Sequence, residues 1–144
     1  MDQPSPYAPP AASLSETTSK DNAAYLSLSP GWKHKFALLE KAGGVKLPRF
    51  KELAFGERFR VSFNIWAFLF STIYYLVKGM WRKAISYTLL TMVASTLIGL
   101  VLVALGMPEQ SVDRALWIVG AAWFATRANI DYYKKVMLSE NGWF

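Results

Sequence analysis

Residues 84–108 form a run of 25 uncharged residues, rich in Leu, Ile and Val, and no other feature constrains this chain as strongly. A helix of that length would extend about 37 Å, which exceeds the ~30 Å hydrocarbon core of a bilayer. Gly106 suits the position that follows a helix, and Pro108 cannot continue one. We therefore predict a transmembrane helix over residues 84–106.

Residues 112–128 are expected to cross back to the starting side. Only the 12 residues 115–126 are uncharged, about 18 Å of helix, so flanking arginines would have to extend their heads to the interfaces. Small side chains spaced four apart let helix backbones approach closely in lipid. The sequence predicts a transmembrane hairpin packed through Ser95, Gly99, Ala121 and Ala125.

Residues 61–78 are crowded with aromatic rings, and their uncharged part, 61–77, would form about 25 Å of helix. Basic residues flank this segment on both sides, whereas Lys and Arg are enriched on the cytoplasmic side of membranes. If the segment crossed the bilayer, one basic flank would lie on the wrong side. We therefore favour a helix that re-enters the membrane or lies in its interface, with a spanning helix as the alternative.

Polar residues within or beside these segments are candidates for positioning roles. Asn64 lies inside the aromatic run, so we expect it to bond to another helix or to hold a backbone break. Arg127 is expected to contact a lipid phosphate or Asp131, four residues further along. Aromatic and basic side chains favour the headgroup level. The predicted membrane-interface residues are Trp66, Tyr74, Tyr75, Trp81, Arg82, Lys83 and Arg127.

The flanking segments are expected to lie outside the lipid core. Residues 1–28 are Pro-rich and weakly hydrophobic, which predicts a disordered tail. Residues 29–60 are expected to form a cytoplasmic amphipathic helix, with Pro30 at its first position, and a linker. That helix would lie on the membrane or pack on the base of the bundle. Residues 129–144 are expected to form an interfacial C-terminal helix.

These segments predict an all-α membrane protein. Its membrane domain, 61–144, would contain the transmembrane hairpin preceded by the aromatic re-entrant or interfacial helix, with amphipathic helices on either side. Lys134 and Lys135 mark a basic end of the last segment. Because basic residues favour the cytoplasmic side, we expect a multi-pass protein with both termini in the cytoplasm.

Composition excludes several classes of function. The net charge is +6, but the basic residues cluster beside apolar segments, which indicates anionic inner-leaflet lipid as a partner and not nucleic acid. The chain has no cysteine, so it forms no disulfide or thiolate metal site. His34 is the single histidine and has no second ligand near it in the sequence. We expect no catalytic residue, no cofactor and no metal site.

Several motifs of the chain are distinctive. They are Phe63–Phe70 (FNIWAFLF), Tyr74-Tyr75 and Gly79–Lys83 (GMWRK), supported by Trp32–Phe36 (WKHKF), Ala128-Asn129 and Tyr132-Tyr133. Through these motifs the chain resembles, over about residues 32–136, a family of small bacterial inner-membrane proteins with a domain of unknown function. Many relatives carry a Gly-Pro break within the aromatic stretch, where this chain has Ser71 and Thr72.

The resemblance implies an inner-membrane location, but no substrate or catalytic set. The preferred hypothesis is a protein without catalytic activity that docks onto or modulates another membrane component, or forms a homo-oligomer. The alternative is a small pore-forming or lysis-type membrane protein. A third hypothesis is a lipid-active enzyme that uses Asn64, Tyr75 and Arg82 at the headgroup plane.

Overall fold

The computed structural model describes residues 23–144, and over that range the chain is helical without a β-strand. Residues 23–26 form one helical turn. The helices that follow are α1 (Pro30–Lys41), α2 (Phe55–Ser62), α3 (Ile65–Val77), α4 (Trp81–Ala104) and α5 (Glu109–Met137), with 3-10 turns at Gly44–Lys46 and Phe50–Glu52.

The predicted tail lies mostly outside the described residues, which begin at residue 23. Its last part, 23–28, is described and differs from the prediction of disorder. Leu28 is 8% exposed and joins the core that α1 forms with α5. The ordered part of the chain therefore begins before the boundary predicted at residue 28.

Helix α1 packs on the C-terminal part of α5. Pro30 is at its first position, as predicted, and Gly43, with φ 94°, follows its end. Phe36 and Leu39 are fully buried, and the Phe36 ring lies 5.1 Å from that of Tyr133. Burying such side chains stabilises the contact by about 1.5–3 kcal/mol each. Of the two predicted placements, the structure shows packing on the bundle.

The aromatic stretch is broken twice. The first break is at Asn64, where extended backbone separates α2 from α3 and the side chain caps α3 by accepting from the backbone N–H groups of Trp66 and Ala67. The second is at Ser71, whose φ of 40° and ψ of −112° interrupt α3. Helix α3 is therefore two short helical pieces, 65–70 and 72–77, joined by a kink.

The kink brings the two ends of α3 together. Asn64 and Tyr74 are ten residues apart, which is about 15 Å along a straight helix, yet the Asn64 Nδ2 donates to the Tyr74 hydroxyl at 2.9 Å. The Asn64 N–H donates to the carbonyl of Ala125, and the Tyr75 hydroxyl donates to that of Phe124. Both ends of the aromatic segment thus contact the same turn of α5, so the segment folds back on itself.

Replacing Ser71 by glycine is expected to stabilise the protein by about 1 kcal/mol, because glycine adopts positive φ without the Cβ penalty. The matched control is Ser95→Gly, in the regular helix α4, which is expected to destabilise by about 0.5 kcal/mol. Denaturant unfolding in detergent micelles measures both. Destabilisation by Ser71→Gly equal to that of the control would show that residue 71 is helical.

Helix α4 is the one helix within residues 23–144 that is long and apolar enough to cross a membrane, judged by length and composition alone. It has 24 residues, about 36 Å of helix. Helix α5 fails the same criterion because Glu109, Asp113, Arg114 and Arg127 bound a short apolar stretch. Over the described residues the structure therefore shows an all-helical chain with one membrane-capable helix. The second crossing of the predicted hairpin stays a prediction.

Helix α5 also differs from its prediction in being continuous over 29 residues. The sequence analysis divided this region into a crossing at 112–128 and an interfacial helix at 129–144. The helix ends at Met137, and the last residues return to the start of α4, where the Trp143 ring lies 5.7 Å from that of Trp81. Helix α5 therefore contributes both apolar side chains and the polar side chains Asn129 and Asp131 to the interior.

Candidate functional site

A buried ion pair joins α4 to α5. The Lys83 Nζ donates to Asp131 Oδ1 at 2.6 Å, and the two residues are 1% and 4% exposed. The Tyr75 hydroxyl donates to the other carboxylate oxygen at 3.0 Å, and the Tyr87 ring packs edge-on against Tyr75 at 5.7 Å. We call Tyr75, Lys83, Tyr87 and Asp131 the Asp131 network.

The Asp131 network is compatible with burial because its charges are paired. Removing two charges from water is costly unless their geometry and further hydrogen bonds compensate. Here the carboxylate has an ammonium on one oxygen and a hydroxyl on the other. The network fixes the end of α3 and the start of α4 against α5, which is a positioning role.

A second cluster, the Asn129 network of Asn64, Tyr74, Asn129 and Lys35, lies beside it. The fully buried Asn129 directs its Nδ2 to the carbonyls of Arg60, Val61 and Phe63, at 2.9–3.3 Å. Its Oδ1 accepts from Asn64 at 2.9 Å and from the Lys35 ammonium at 3.4 Å. One amide on α5 thereby satisfies the carbonyls that the break between α2 and α3 leaves without helical partners.

The predicted interface residues divide into two groups. Trp66 and Trp81 are 60% and 47% exposed, the exposed Arg127 guanidinium lies 5.2 Å from the Trp123 ring centre, and Arg82 lies 5.5 Å from that of Trp81. The exposure of these aromatic and basic side chains is compatible with a position at the level of the lipid headgroups. Tyr74 is half-buried in the Asn129 network.

Tyr75 and Lys83 lie elsewhere than predicted. Both are buried in the Asp131 network, where the Asp131 carboxylate accepts a hydrogen bond from each of them. Arg127 in turn has no ion pair with Asp131, the second of the two contacts expected for it; among the described residues, Asp131 pairs with Lys83.

The predicted packing residues do not meet as one stripe. Gly99 permits close approach of α4 and α5, since a β-carbon there would lie 3.3 Å from Leu116 Cδ1. Ala125 is buried where α5 contacts the break at Asn64, and Ala121 is 3% exposed. Ser95 lines an open groove between α4 and α5.

This α4–α5 groove has a volume of about 660 Å³ and runs from the kink at Ser71 to two carboxylates, Glu109 and Asp113. The residues that line it include Thr91, Ser95 and Thr96 and two glycines, Gly99 and Gly120. Thr91 and Thr96 donate to carbonyls of their own helix. Within residues 23–144, Ser95 has no hydrogen-bond partner and Glu109 and Asp113 have no ion pair.

Sequence reasoning missed Asn129 and Asp131 as the organising residues. Asn129 appeared only as part of the family resemblance, and Asp131 only as a possible partner of Arg127. One feature of the sequence could have identified them. Asn129 and Asp131 lie within one turn of a helix that also has apolar faces, and a polar group buried there without a partner is costly. Their side-chain partners are 48 or more positions away in the chain, which spacing along one helix does not reveal.

The described residues contain no group of three or more His, Cys, Asp or Glu side chains arranged to hold a metal ion. His34 is exposed, and its Nε2 lies 3.2 Å from an Arg60 nitrogen. The polar side chains that do cluster are hydrogen-bonded to one another inside the fold.

Together the fold and the site define a small helical protein with one membrane-capable helix, a broken aromatic helix and two interior polar networks. The chain belongs to the family described as "Protein of unknown function (DUF2628)", which matches residues 13–137.

Curated relatives extend over most of the chain. It is 31% identical over 125 residues to the uncharacterized protein YigF of Salmonella typhimurium, and equally so to that of Salmonella typhi. It is 30% identical over 128 residues to the uncharacterized protein YigF of Escherichia coli (strain K12). Each match covers 81% of this chain and 91% of the relative. No solved structure matches the chain.

Proposed function

We propose that this is a multi-pass protein of the bacterial inner membrane, without catalytic activity, that docks onto or modulates another membrane component. In the proposed topology α4 crosses the bilayer, residues 105–108 turn on the far side, and α5 returns over residues 112–128. The folded-back helix α3 re-enters from the cytoplasmic side, and both termini are cytoplasmic.

Exposed apolar surface supports the membrane location. In the most apolar 18-residue segment of α4, only 6% is buried. The exposed side chains of α4 include Leu89, Val93 and Leu97, each at least 58% exposed. Helix α3 exposes Ile65 and Ile73 in the same way. Water-soluble monomers rarely expose apolar patches of this extent, whereas lipid covers them without cost.

The observation that carries the docking role is the α4–α5 groove. Lipid tails offer no hydrogen bond to the unpartnered hydroxyl of Ser95, and an unpaired polar group in hydrocarbon is costly. Gly120, where a β-carbon would meet nothing within 4 Å, leaves room for another backbone. The fitting occupant is a transmembrane helix of a partner protein, with hydroxyl or small side chains facing Ser95 and a basic residue near Glu109 and Asp113.

A photoreactive amino acid placed at Ser95 is expected to form a crosslink in cells to one membrane protein, because this position lines the groove. The matched control is Leu97, which is 61% exposed and lies outside the groove lining. The adducts are identified by mass spectrometry. Equal adduct formation from both positions, or none from Ser95, would contradict the docking role.

Crosslinks between two copies of this chain would favour the alternative function, a small pore. Several copies would then enclose a water path lined by the groove hydroxyls of Thr91, Ser95 and Thr96. Ion leakage from vesicles that contain only this protein would accompany that outcome.

A further inference from the structure

Two lysines lie over the rings of Trp32 and Tyr132, and a third lysine is bonded to the backbone of one of them. The Lys78 Nζ lies 4.9 Å from the centre of the Trp32 ring and 4.6 Å from that of Tyr132. The Lys35 Nζ lies 4.8 Å from the Trp32 ring. The Lys135 ammonium donates to the backbone carbonyl of Lys78. Lys35, Lys78 and Lys135 are hereafter the lysine cluster.

The lysine cluster has no anionic partner among the described residues. The ion pairs formed within residues 23–144 are Lys41–Glu57 and Lys83–Asp131, and neither includes a member of the cluster. Cation–π contacts stabilise Lys78 and Lys35 but leave their positive charge uncompensated. Each ammonium also keeps N–H donors beyond the contacts named here.

Partial burial and mutual repulsion both disfavour the charged form of these lysines. Desolvation lowers the pKa of Lys35, and the neighbouring Lys78 charge lowers it further. The pKa of Lys78 is lowered by desolvation and then by Lys135, and desolvation also lowers the pKa of Lys135. An anion bound between the three ammonium groups would relieve both effects.

The position of the cluster indicates where that anion comes from. Lys78 precedes α4, which begins at Trp81, and Lys135 lies in the last turn of α5. If α4 crosses the membrane as proposed, the cluster lies at the level of the cytoplasmic headgroups. Trp and Tyr rings such as those of Trp32 and Tyr132 favour the same level.

We propose that Lys35, Lys78 and Lys135 bind the phosphate group of an anionic phospholipid, beside the Trp32 and Tyr132 rings that contact Lys35 and Lys78. This inference rests on the proposed membrane location of α4. The site accepts a phosphate through charge-assisted hydrogen bonds from ammonium groups that belong to separate parts of the fold. It would thereby couple α1 and the C-terminal end of α5 to the inner leaflet.

Native mass spectrometry of the full-length protein in detergent tests the site with phosphatidylglycerol, phosphatidylcholine and inorganic phosphate as separate probes. We expect phosphatidylglycerol adducts to outnumber phosphatidylcholine adducts. Because one charge-assisted contact corresponds to about a tenfold change in affinity, changing all three cluster lysines to glutamine should abolish the preference. Lys78→Arg, which keeps the charge, should retain it.

The matched control is Lys33→Gln with Lys46→Gln and Lys51→Gln, which removes the same net charge from lysines outside the cluster; Lys46 and Lys51 are exposed, and Lys33 is half-buried against the Tyr25 ring. Equal losses in the two triple variants would overturn the site, because they would reflect surface charge alone. Binding of inorganic phosphate without a preference for phosphatidylglycerol would overturn the lipid source. Circular dichroism confirms that each variant is folded.

The same variants separate this inference from the docking proposal. If the cluster variant loses lipid preference but keeps the crosslink from position 95, the lipid site stands whatever the fate of the partner. If the lipid preference is absent from the unsubstituted protein while that crosslink forms, the lipid site fails and the docking role stands.

Discussion

Replacing Lys83 by methionine is expected to destabilise the protein by about 3–5 kcal/mol, because the Asp131 carboxylate is left buried without its cation. Asp131→Leu should cost a similar amount by stranding the ammonium. Denaturant unfolding in detergent micelles measures the change in free energy. The expected loss is a large fraction of the 5–15 kcal/mol that a protein of this size has in total.

The double variant distinguishes a stranded charge from lost packing. Lys83→Met combined with Asp131→Leu replaces the pair by apolar groups and is expected to recover most of the loss. Lys41→Met is the control on an exposed pair, where solvent screens the 2.9 Å contact with Glu57 and the loss of the contact should change stability little. Additive losses in the double variant would show that the two side chains act independently.

Replacing Asn129 by aspartate is expected to destabilise the protein by about 3 kcal/mol, because three backbone carbonyls lose their shared donor and face a carboxylate. The change keeps size and shape, so packing is nearly unaffected. The break between α2 and α3 should open first. Hydrogen exchange at the backbone amides of residues 60–67 measures that opening separately from global unfolding.

A control for Asn129 lies one turn earlier on α5. Thr126 is exposed, and its hydroxyl donates only to carbonyls of its own helix, at 3.0 Å. Thr126→Val should therefore change the free energy of unfolding by no more than about 0.5 kcal/mol. If Asn129→Asp behaved like this control, the Asn129 network would carry no stability.

The sequence predicted the helical class, the start of α1 and the approximate end of α4, because these depend on local signals, but it did not predict the continuity of α5. The uncharged run that begins at residue 84, Gly106 and Pro108 locate α4 and its end, and Pro30 locates α1. The kink at Ser71 was anticipated only in part. The family resemblance placed a Gly-Pro break at the positions that Ser71 and Thr72 occupy here, and in this chain hydrogen bonds at both ends of α3 accompany a kink at serine.

The interior networks could not be predicted in the same way. In the sequence, Lys83 is a basic residue at the end of an apolar segment, which predicts exposure. In the structure it is buried against the carboxylate of Asp131, 48 residues away. Tyr75 has the local sequence context of an aromatic residue at the membrane interface, but in the folded chain its hydroxyl donates to Asp131. In both cases a long-range contact overrides a correct local preference.

These networks support a common picture of the molecule. Helix α5 is the element to which both ends of α3 and the start of α4 are attached, through Asn129 and Asp131. The outward-facing apolar side chains and the α4–α5 groove remain available to lipid and to a partner. The Asn129 and Asp131 networks position the helices, and the proposed docking takes place on the outer surface and in the α4–α5 groove.

Single cysteines provide the most direct test of the proposed topology, because the natural chain has none. Cysteines at Lys46 and Glu140 should react with a membrane-impermeant maleimide only after the cytoplasmic face is opened, and a cysteine at Met107 should react in intact spheroplasts. Labelling of positions 107 and 140 from the same side, or recovery of the protein in the detergent-free soluble fraction, would contradict the account.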